Sequence, residues 1–122
     1  GDLVLVVDDE VAIREITRPV LEVSGYRVVL AANGAEGVAQ YRQHHPHVAA
    51  VITDGMMPGM DGAALIEALV VLNPAVRVLA VSGVMTSQTT SEIGAGGILH
   101  RLSKPYSASQ LVTALQHLLA VG

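Results

Sequence analysis

The sequence predicts one α/β domain built on a parallel sheet with helices packed on both faces. Five apolar runs alternate with five segments of helical periodicity, and the loops between them are short. The runs are rich in Val, Leu and Ile and lack an alternation of apolar and polar residues, which is typical of parallel strands buried on both faces. Repeated strand–helix units connect through right-handed crossovers, so we expect a doubly wound open sheet.

The first half of the chain contains three predicted strands and two predicted helices. The strands cover residues 3–7, 26–31 and 48–53, and the helices cover residues 11–24 and 34–44. Gly25 and Gly34 separate neighbouring elements, and Pro46 breaks the second helix.

The second half contains two further strands and three helices. The strands cover residues 76–82 and 98–103, and the helices cover residues 61–72, 86–94 and 107–120. Asp61 and Gly62 suit a helix start, and Ser107 suits the N-cap of the last helix. Polar Ser and Thr residues and nearby glycines weaken the helical pattern at 86–94, so we expect that helix to be short or frayed.

Composition excludes several classes of protein. The chain has 122 residues, of which 51% are hydrophobic and 15% charged, and this fits one globular domain over residues 1–122. It has no cysteine, which rules out a disulfide framework and thiolate chemistry. The net charge of -4 without a basic run argues against nucleic-acid binding by this domain.

No part of the sequence suggests a membrane segment or a signal peptide. Apolar runs fall short of the roughly 18 residues that indicate a membrane span, so we expect no membrane contact and a cytoplasmic location. The abrupt start at Gly1 and Asp2 is typical of a domain excised from a longer protein.

Chemically active residues follow the predicted strands. Asp8 and Asp9 follow the first strand, Asp54 the third and Lys104 the fifth, while Ser82 ends the fourth. In a doubly wound sheet these ends share one edge, where ligands bind. Three close carboxylates must bind a proton or a cation, and all-oxygen ligands favour Mg²⁺, with Mn²⁺ as a substitute. A carboxylate there can accept a phosphoryl group while the lysine and the hydroxyl hold its oxygens.

Four motifs stand at these strand ends in a fixed order. They are Asp8-Asp9 after Leu5-Val6-Val7, Asp54 with Met57-Pro58-Gly59-Met60-Asp61-Gly62, Ser82-Gly83, and Lys104-Pro105-Tyr106. Because order and spacing are specific, the whole chain resembles the receiver domains of response regulators in two-component signalling. The resemblance implies a flavodoxin-like sheet with strand order 2-1-3-4-5.

The resemblance also implies a role for each site residue. Asp54 would be the phosphoacceptor, Asp9 a direct metal ligand and Asp8 a ligand largely through water. The backbone carbonyl of Met56 would complete the protein's share of the metal shell.

Two further residues would contact the phosphoryl group itself. The resemblance implies that Ser82 senses it and that Lys104 binds its oxygens, with a cis peptide bond between Lys104 and Pro105. The donor would be the phosphohistidine of a histidine kinase or of a histidine phosphotransfer domain. Such a domain is a phosphoacceptor switch that assists its own phosphorylation and dephosphorylation, so its status as an enzyme stays open.

The signal would leave the domain through a change in the surface formed by the fourth strand, the following helix and the fifth strand. Receivers usually carry an aromatic residue three positions before the lysine, and this chain has Arg101 there. We therefore expect intact phosphorylation with an unusual output, and an exposed edge strand around His100 and Arg101. The endings at 54–58 and 102–105 are similar to those of receivers in hybrid sensor histidine kinases, which suggests such a parent protein.

Other functions fit the sequence less well. A haloacid dehalogenase-type phosphohydrolase needs a second Asp where this chain has Met56. A flavodoxin-type carrier needs a phosphate-binding loop after the first strand, where Asp8, Asp9 and Glu10 of this chain would repel a phosphate group. An unphosphorylated pseudo-receiver that acts as a protein-interaction module remains the alternative. We expect Glu10 to be a solvated acid at the helix start, which is favoured over a role in tuning the acidic pocket. The histidines between residues 44 and 47 are expected in a solvated loop.

Overall fold

The computed structural model contains a five-stranded parallel sheet of order β2-β1-β3-β4-β5, as predicted. It describes residues 1–54, 62–82, 98–103 and 105–120. The elements are β1 (Leu3–Val7), α1 (Val11–Val23), β2 (Arg27–Ala31), α2 (Gly34–His44), β3 (Val48–Asp54), α3 (Gly62–Leu72), β4 (Arg77–Ser82), β5 (Ile98–Ser103) and α4 (Ala108–Ala120). The predicted helix at 86–94 lies outside the described residues. None of the described helices is long and apolar enough to cross a membrane.

The two faces of the sheet carry separate hydrophobic cores. Every residue of the interior strand β1 is buried, and successive side chains point to opposite faces. Leu5 and Val7 pack with residues of α2 and α3, whereas Val4 and Val6 pack with leucines of α1 and α4. This arrangement explains why the sequence of β1 shows an apolar run without alternation.

Gly37 allows α2 to lie close to the sheet. A Cβ atom at this position would lie 2.9 Å from Cγ2 of Val7 and 3.5 Å from Cδ1 of Leu65. The missing side chain thus lets the helix contact β1 directly.

The helix ends show which sequence signals act as caps. The side-chain oxygen Oδ1 of Asn33 accepts a hydrogen bond from the backbone N–H of Glu36, and Glu36 Oε1 accepts one from the N–H of Ala32. The N-cap of α2 is therefore Asn33, and the helix begins at Gly34, as the predicted range 34–44 has it. Ser107 caps α4 as predicted, since its Oγ accepts from the backbone N–H of Gln110 at 3.0 Å.

A polar contact fastens α2 to the segment after α3. The Nδ2 atom of Asn73 donates to the hydroxyl oxygen of Tyr41 at 2.9 Å. Tyr41 is buried within the α2/α3 core. Burial raises the pKa of its phenol above the usual value, while the hydrogen bond with Asn73 acts in the opposite direction.

Candidate functional site

The strand register places the predicted site residues side by side. The final pair between β1 and β3 is Val7 with Thr53, so the next residues, Asp8 and Asp54, emerge together at the carboxyl edge. Asp54 itself pairs with Val81 of β4. The main chain of Ser82 pairs with that of Ser103, at the ends of β4 and β5. The edge is therefore formed by four neighbouring strand ends.

Four carboxylates form an acid cluster at this edge. One carboxylate oxygen from each of Asp8, Asp9, Glu10 and Asp54 lies within 4.8 Å of the other three. Asp8 and Asp54 are buried, with 6% of each residue exposed, whereas Asp9 and Glu10 face solvent. Like charges at this spacing repel each other, and a set of carboxylate oxygens suits a hard cation such as Mg²⁺. The residues present thus fit a divalent metal ion.

Glu10 is the member of the acid cluster for which the sequence analysis favoured a solvated helix start over a place in the acidic pocket. It is exposed, as predicted, and it occupies the N-cap position of α1 without a capping hydrogen bond from its side chain. Its carboxylate nevertheless lies within reach of the three aspartates. The signal was its position directly after Asp8 and Asp9, which was interpreted as a solvated helix start.

Main-chain contacts hold the β1 end of the cluster in place. The N–H of Asp8 donates to the carbonyl oxygen of Ala31 at 3.1 Å, and the N–H of Glu10 donates to Asp8 Oδ1 at 2.9 Å. Nη1 of Arg14 on α1 donates to the carbonyl oxygen of Asp8 at 2.6 Å. This last contact was not predicted, because nothing in the sequence indicates that a helix residue bonds to a backbone carbonyl outside the helix.

The remaining predicted site residues lie outside this description. Met56 and Lys104, together with the predicted cis bond between Lys104 and Pro105, are not among the described residues. For Ser82 the structure describes the strand position and not the hydroxyl group. Asp8, Asp9 and Asp54 are thus the predicted site residues whose side chains the structure brings together.

Two other sequence predictions concern polar side chains away from the cluster. His45 and His47 are exposed, as predicted, whereas His44 is the last residue of α2 and is partly buried. The ring of His45 lies 5.4 Å from that of Tyr41. The acid cluster, the metal-compatible group among the described residues, contains no histidine. Arg101 is exposed and His100 partly buried on β5, which is an edge strand as predicted.

An apolar groove of about 620 Å³ borders the acid cluster. It lies between α1 and the start of α4, and its lining includes Glu10, Ile13, Ile16, Tyr106 and Leu111. Ile16 is 62% exposed. Glu10 belongs both to the groove and to the acid cluster, so the two features are continuous.

The acid cluster lies at the carboxyl edge of a doubly wound sheet, which is where such folds bind their ligands. The chain belongs to the response regulator receiver domain family, whose profile matches residues 4–116. Two solved structures share both fold and sequence similarity with it. Chemotaxis protein CheY4 of Vibrio cholerae is 28% identical with a TM-score of 0.80, over 96% of this chain and 98% of that one. The receiver domain of the hybrid histidine kinase CckA is 26% identical with a TM-score of 0.80, over the same shares.

Two of the similar curated proteins are named as transcriptional regulators. The transcriptional regulatory protein ZraR of Salmonella typhimurium is 34% identical over 96% of this chain and 26% of its own length. The ycf27 protein of Cyanophora paradoxa, named a probable transcriptional regulator, is 35% identical over 95% of this chain and 47% of its own length. The chain therefore spans half or less of these relatives.

Proposed function

We propose that this domain accepts a phosphoryl group from a phosphohistidine donor onto Asp54 in a magnesium-dependent phosphorelay. The observation that carries the proposal is the acid cluster, in which Asp54 at the end of β3 meets Asp8 and Asp9 at the end of β1. Membership of the receiver family supports it.

The proposal gives Asp54 two roles, as nucleophile and as metal ligand, and makes Asp8 and Asp9 metal ligands. Asp8, Asp9 and Asp54 would hold the metal ion together with the backbone carbonyl of Met56. Mn²⁺ can serve at this site as a substitute for Mg²⁺. The bound ion supplies positive charge that offsets the charge of the transferring oxygens. A carboxylate oxygen of Asp54 attacks phosphorus in line, the new O–P bond gives an acyl phosphate, the N–P bond of the donor breaks, and the released imidazole nitrogen takes a proton.

Lys104 and Ser82 complete the proposed site. The ammonium group of Lys104 would bind phosphoryl oxygens, and the Ser82 hydroxyl would donate a hydrogen bond to the same group. Ser82 ends β4 beside the pair formed by Asp54 and Val81, and Lys104 directly follows β5. Both positions support contact with a group bound to Asp54, and the β4–β5 side, with exposed Arg101, would carry the change to a partner surface.

The donor proposed is a histidine kinase or a histidine phosphotransfer domain on the cytoplasmic side, with no nucleic acid or membrane bound through this domain. The apolar groove supports a protein donor because exposed apolar surface beside a charged site favours a macromolecular contact. The similarity to the CckA receiver supports a longer parent protein of the hybrid kinase type.

Intact-mass analysis after incubation with phosphoramidate and Mg²⁺ tests the proposal, because this small donor also carries an N–P bond. We expect the unmodified chain to gain the mass of one HPO₃ unit and Asp54→Asn to gain none. Asp2→Asn is the matched control, since Asp2 is an exposed carboxylate at the opposite end of β1, and it should be labelled like the unmodified chain. No labelling of the unmodified chain would leave the pseudo-receiver as the better description, and equal labelling of Asp54→Asn would mean that another residue accepts the phosphoryl group.

A further inference from the structure

Arg14 contacts the peptide that joins the first two acids of the cluster. Its Nη1 atom donates to the carbonyl oxygen of Asp8 at 2.6 Å, and the contact is partly buried. A guanidinium stays protonated at any pH that a protein tolerates, and hydrogen bonds from charged donors are short and strong. The contact is therefore a permanent link between α1 and the end of β1.

The two aspartates of that peptide are held differently. Asp8 is fixed by its own N–H, which donates to Ala31, and by its carboxylate, which accepts from the N–H of Glu10. Asp9 is exposed, and its side chain has no hydrogen bond within the described part of the chain. The direction of the Asp9 carboxylate consequently depends on the orientation of the Asp8–Asp9 peptide, which Arg14 holds through its carbonyl oxygen.

We infer that Arg14 is a positioning residue that aims the Asp9 carboxylate into the acid cluster and thereby tightens binding of a divalent metal ion. The inference rests on the metal site of the proposed function. Loss of a residue that orients a metal ligand typically lowers metal affinity by roughly 10–100-fold.

A purely electrostatic role for Arg14 predicts the opposite result. A fixed positive charge near the acid cluster repels a divalent cation, so removing that charge would tighten metal binding. Removing a positioning residue loosens metal binding instead. The sign of the change in metal affinity therefore separates the two roles without any measurement of phosphorylation.

Metal titration of Arg14→Gln provides the test, with free Mn²⁺ followed by electron paramagnetic resonance. Glutamine favours helices and lacks both the charge and the reach of arginine, so we expect the Kd for Mn²⁺ to rise about tenfold. Arg14→Lys keeps the charge and one donor on a less suitable head group, and we expect a smaller rise. Arg18→Gln is the matched control because Arg18, one turn further along α1, pairs with Glu22 at 3.2 Å and is half exposed. It should bind Mn²⁺ like the unmodified chain.

Each result decides between the alternatives. Unchanged or tighter Mn²⁺ binding by Arg14→Gln, with a normal thermal unfolding curve, overturns the positioning role. If Arg14→Gln does not fold, Arg14→Lys decides, and unchanged affinity in that variant overturns the role as well. An unmodified chain that binds no Mn²⁺ contradicts the metal site of the proposed function itself, which is a different failure.

Discussion

The two faces of the sheet use similar cores beneath different outer surfaces. On the α2/α3 face, Gly37 lets α2 touch β1, and the bond between Tyr41 and Asn73 fastens the two helical segments. On the α1/α4 face, buried leucines pack equally well against the sheet, yet an open apolar groove remains between the helices and Ile16 is exposed.

The difference lies in the outer layer and has a functional meaning. The α2/α3 face contributes to stability and exposes Val71 on α3, whereas the α1/α4 face leaves an apolar groove that continues to the acid cluster through Glu10. Uncovered apolar surface contributes little to the stability of the isolated domain, and it is available to a partner. If this interpretation is right, substitutions should affect stability according to face and depth.

The largest effects should come from the inner residues of both faces. Leu69 and Leu115 are each 0% exposed, on the α2/α3 and α1/α4 faces respectively. Replacing either by alanine removes buried methyl groups and leaves a cavity, so each should cost about 2–5 kcal/mol of unfolding free energy, measured by urea denaturation. A cost for Leu115→Ala below about 1 kcal/mol would mean that the α4 layer packs loosely throughout, and that the contrast between faces reaches the core.

Replacing a tyrosine by phenylalanine should cost less stability than the leucine substitutions, and the cost should differ between the two faces. Tyr41→Phe leaves Asn73 without its acceptor and should cost about 1 kcal/mol at neutral pH, measured in the same way. Tyr26→Phe is the control on the α1/α4 face, where Tyr26 is half-buried and packs at the edge of the core. A loss in Tyr26→Phe equal to that in Tyr41→Phe would remove this part of the contrast.

Alkaline pH should reduce the difference between the unmodified chain and Tyr41→Phe. Burial raises the pKa of Tyr41 in the folded state, so its protonated form stabilises the fold fully below the unfolded pKa of about 10. This contribution to the free energy of unfolding is lost as the pH rises through the folded pKa of Tyr41. Phenylalanine has no titratable group, so the variant does not show this loss. The stabilities should therefore converge above about pH 10. Tyr26, whose pKa is raised by burial and then by the charge of Asp2, remains in both chains and cancels in the comparison.

The smallest effect should be found at the groove. Ile16→Ser replaces a side chain that is largely exposed, so the unfolding free energy should change by less than about 0.5 kcal/mol. Ile66→Ser is the buried counterpart on the α2/α3 face, with 8% exposure, and should be strongly destabilising. A loss above about 1 kcal/mol in Ile16→Ser would show that the groove residue supports the fold.

Local patterns were sufficient to predict most of the fold. Apolar runs without alternation identified all five strands to within one residue at each end, because parallel strands buried on both faces leave that signature. The end of β3, predicted at residue 53 and observed one residue later at Asp54, and the cap at Ser107 followed from the same kind of local signal. The aspartates of the acid cluster were predictable because parallel strands end at a common edge.

Contacts that depend on side-chain direction were not predictable in this way. Glu10 was assigned to solvent because an acid at a helix start needs no partner, and its approach to the aspartates depends on the path of the chain between β1 and α1. Arg14 could have faced solvent like Arg18, since both lie on α1 and only their directions differ. The pairing of Tyr41 with Asn73 joins residues that are distant in sequence, for which one sequence alone carries no signal.

The position of β1 between β2 and β3 has a consequence for how the domain folds. Asp8 and Asp54 become neighbours only after the chain has passed through α1, β2 and α2, so their carboxylates are far apart in the unfolded ensemble. The repulsion between Asp54 and the acids that follow β1 therefore arises only in the folded state, when β1 pairs with β3. The hydrophobic cores on both faces must outweigh this repulsion when no cation is bound, and a cation that binds only the folded edge would raise the free energy of unfolding.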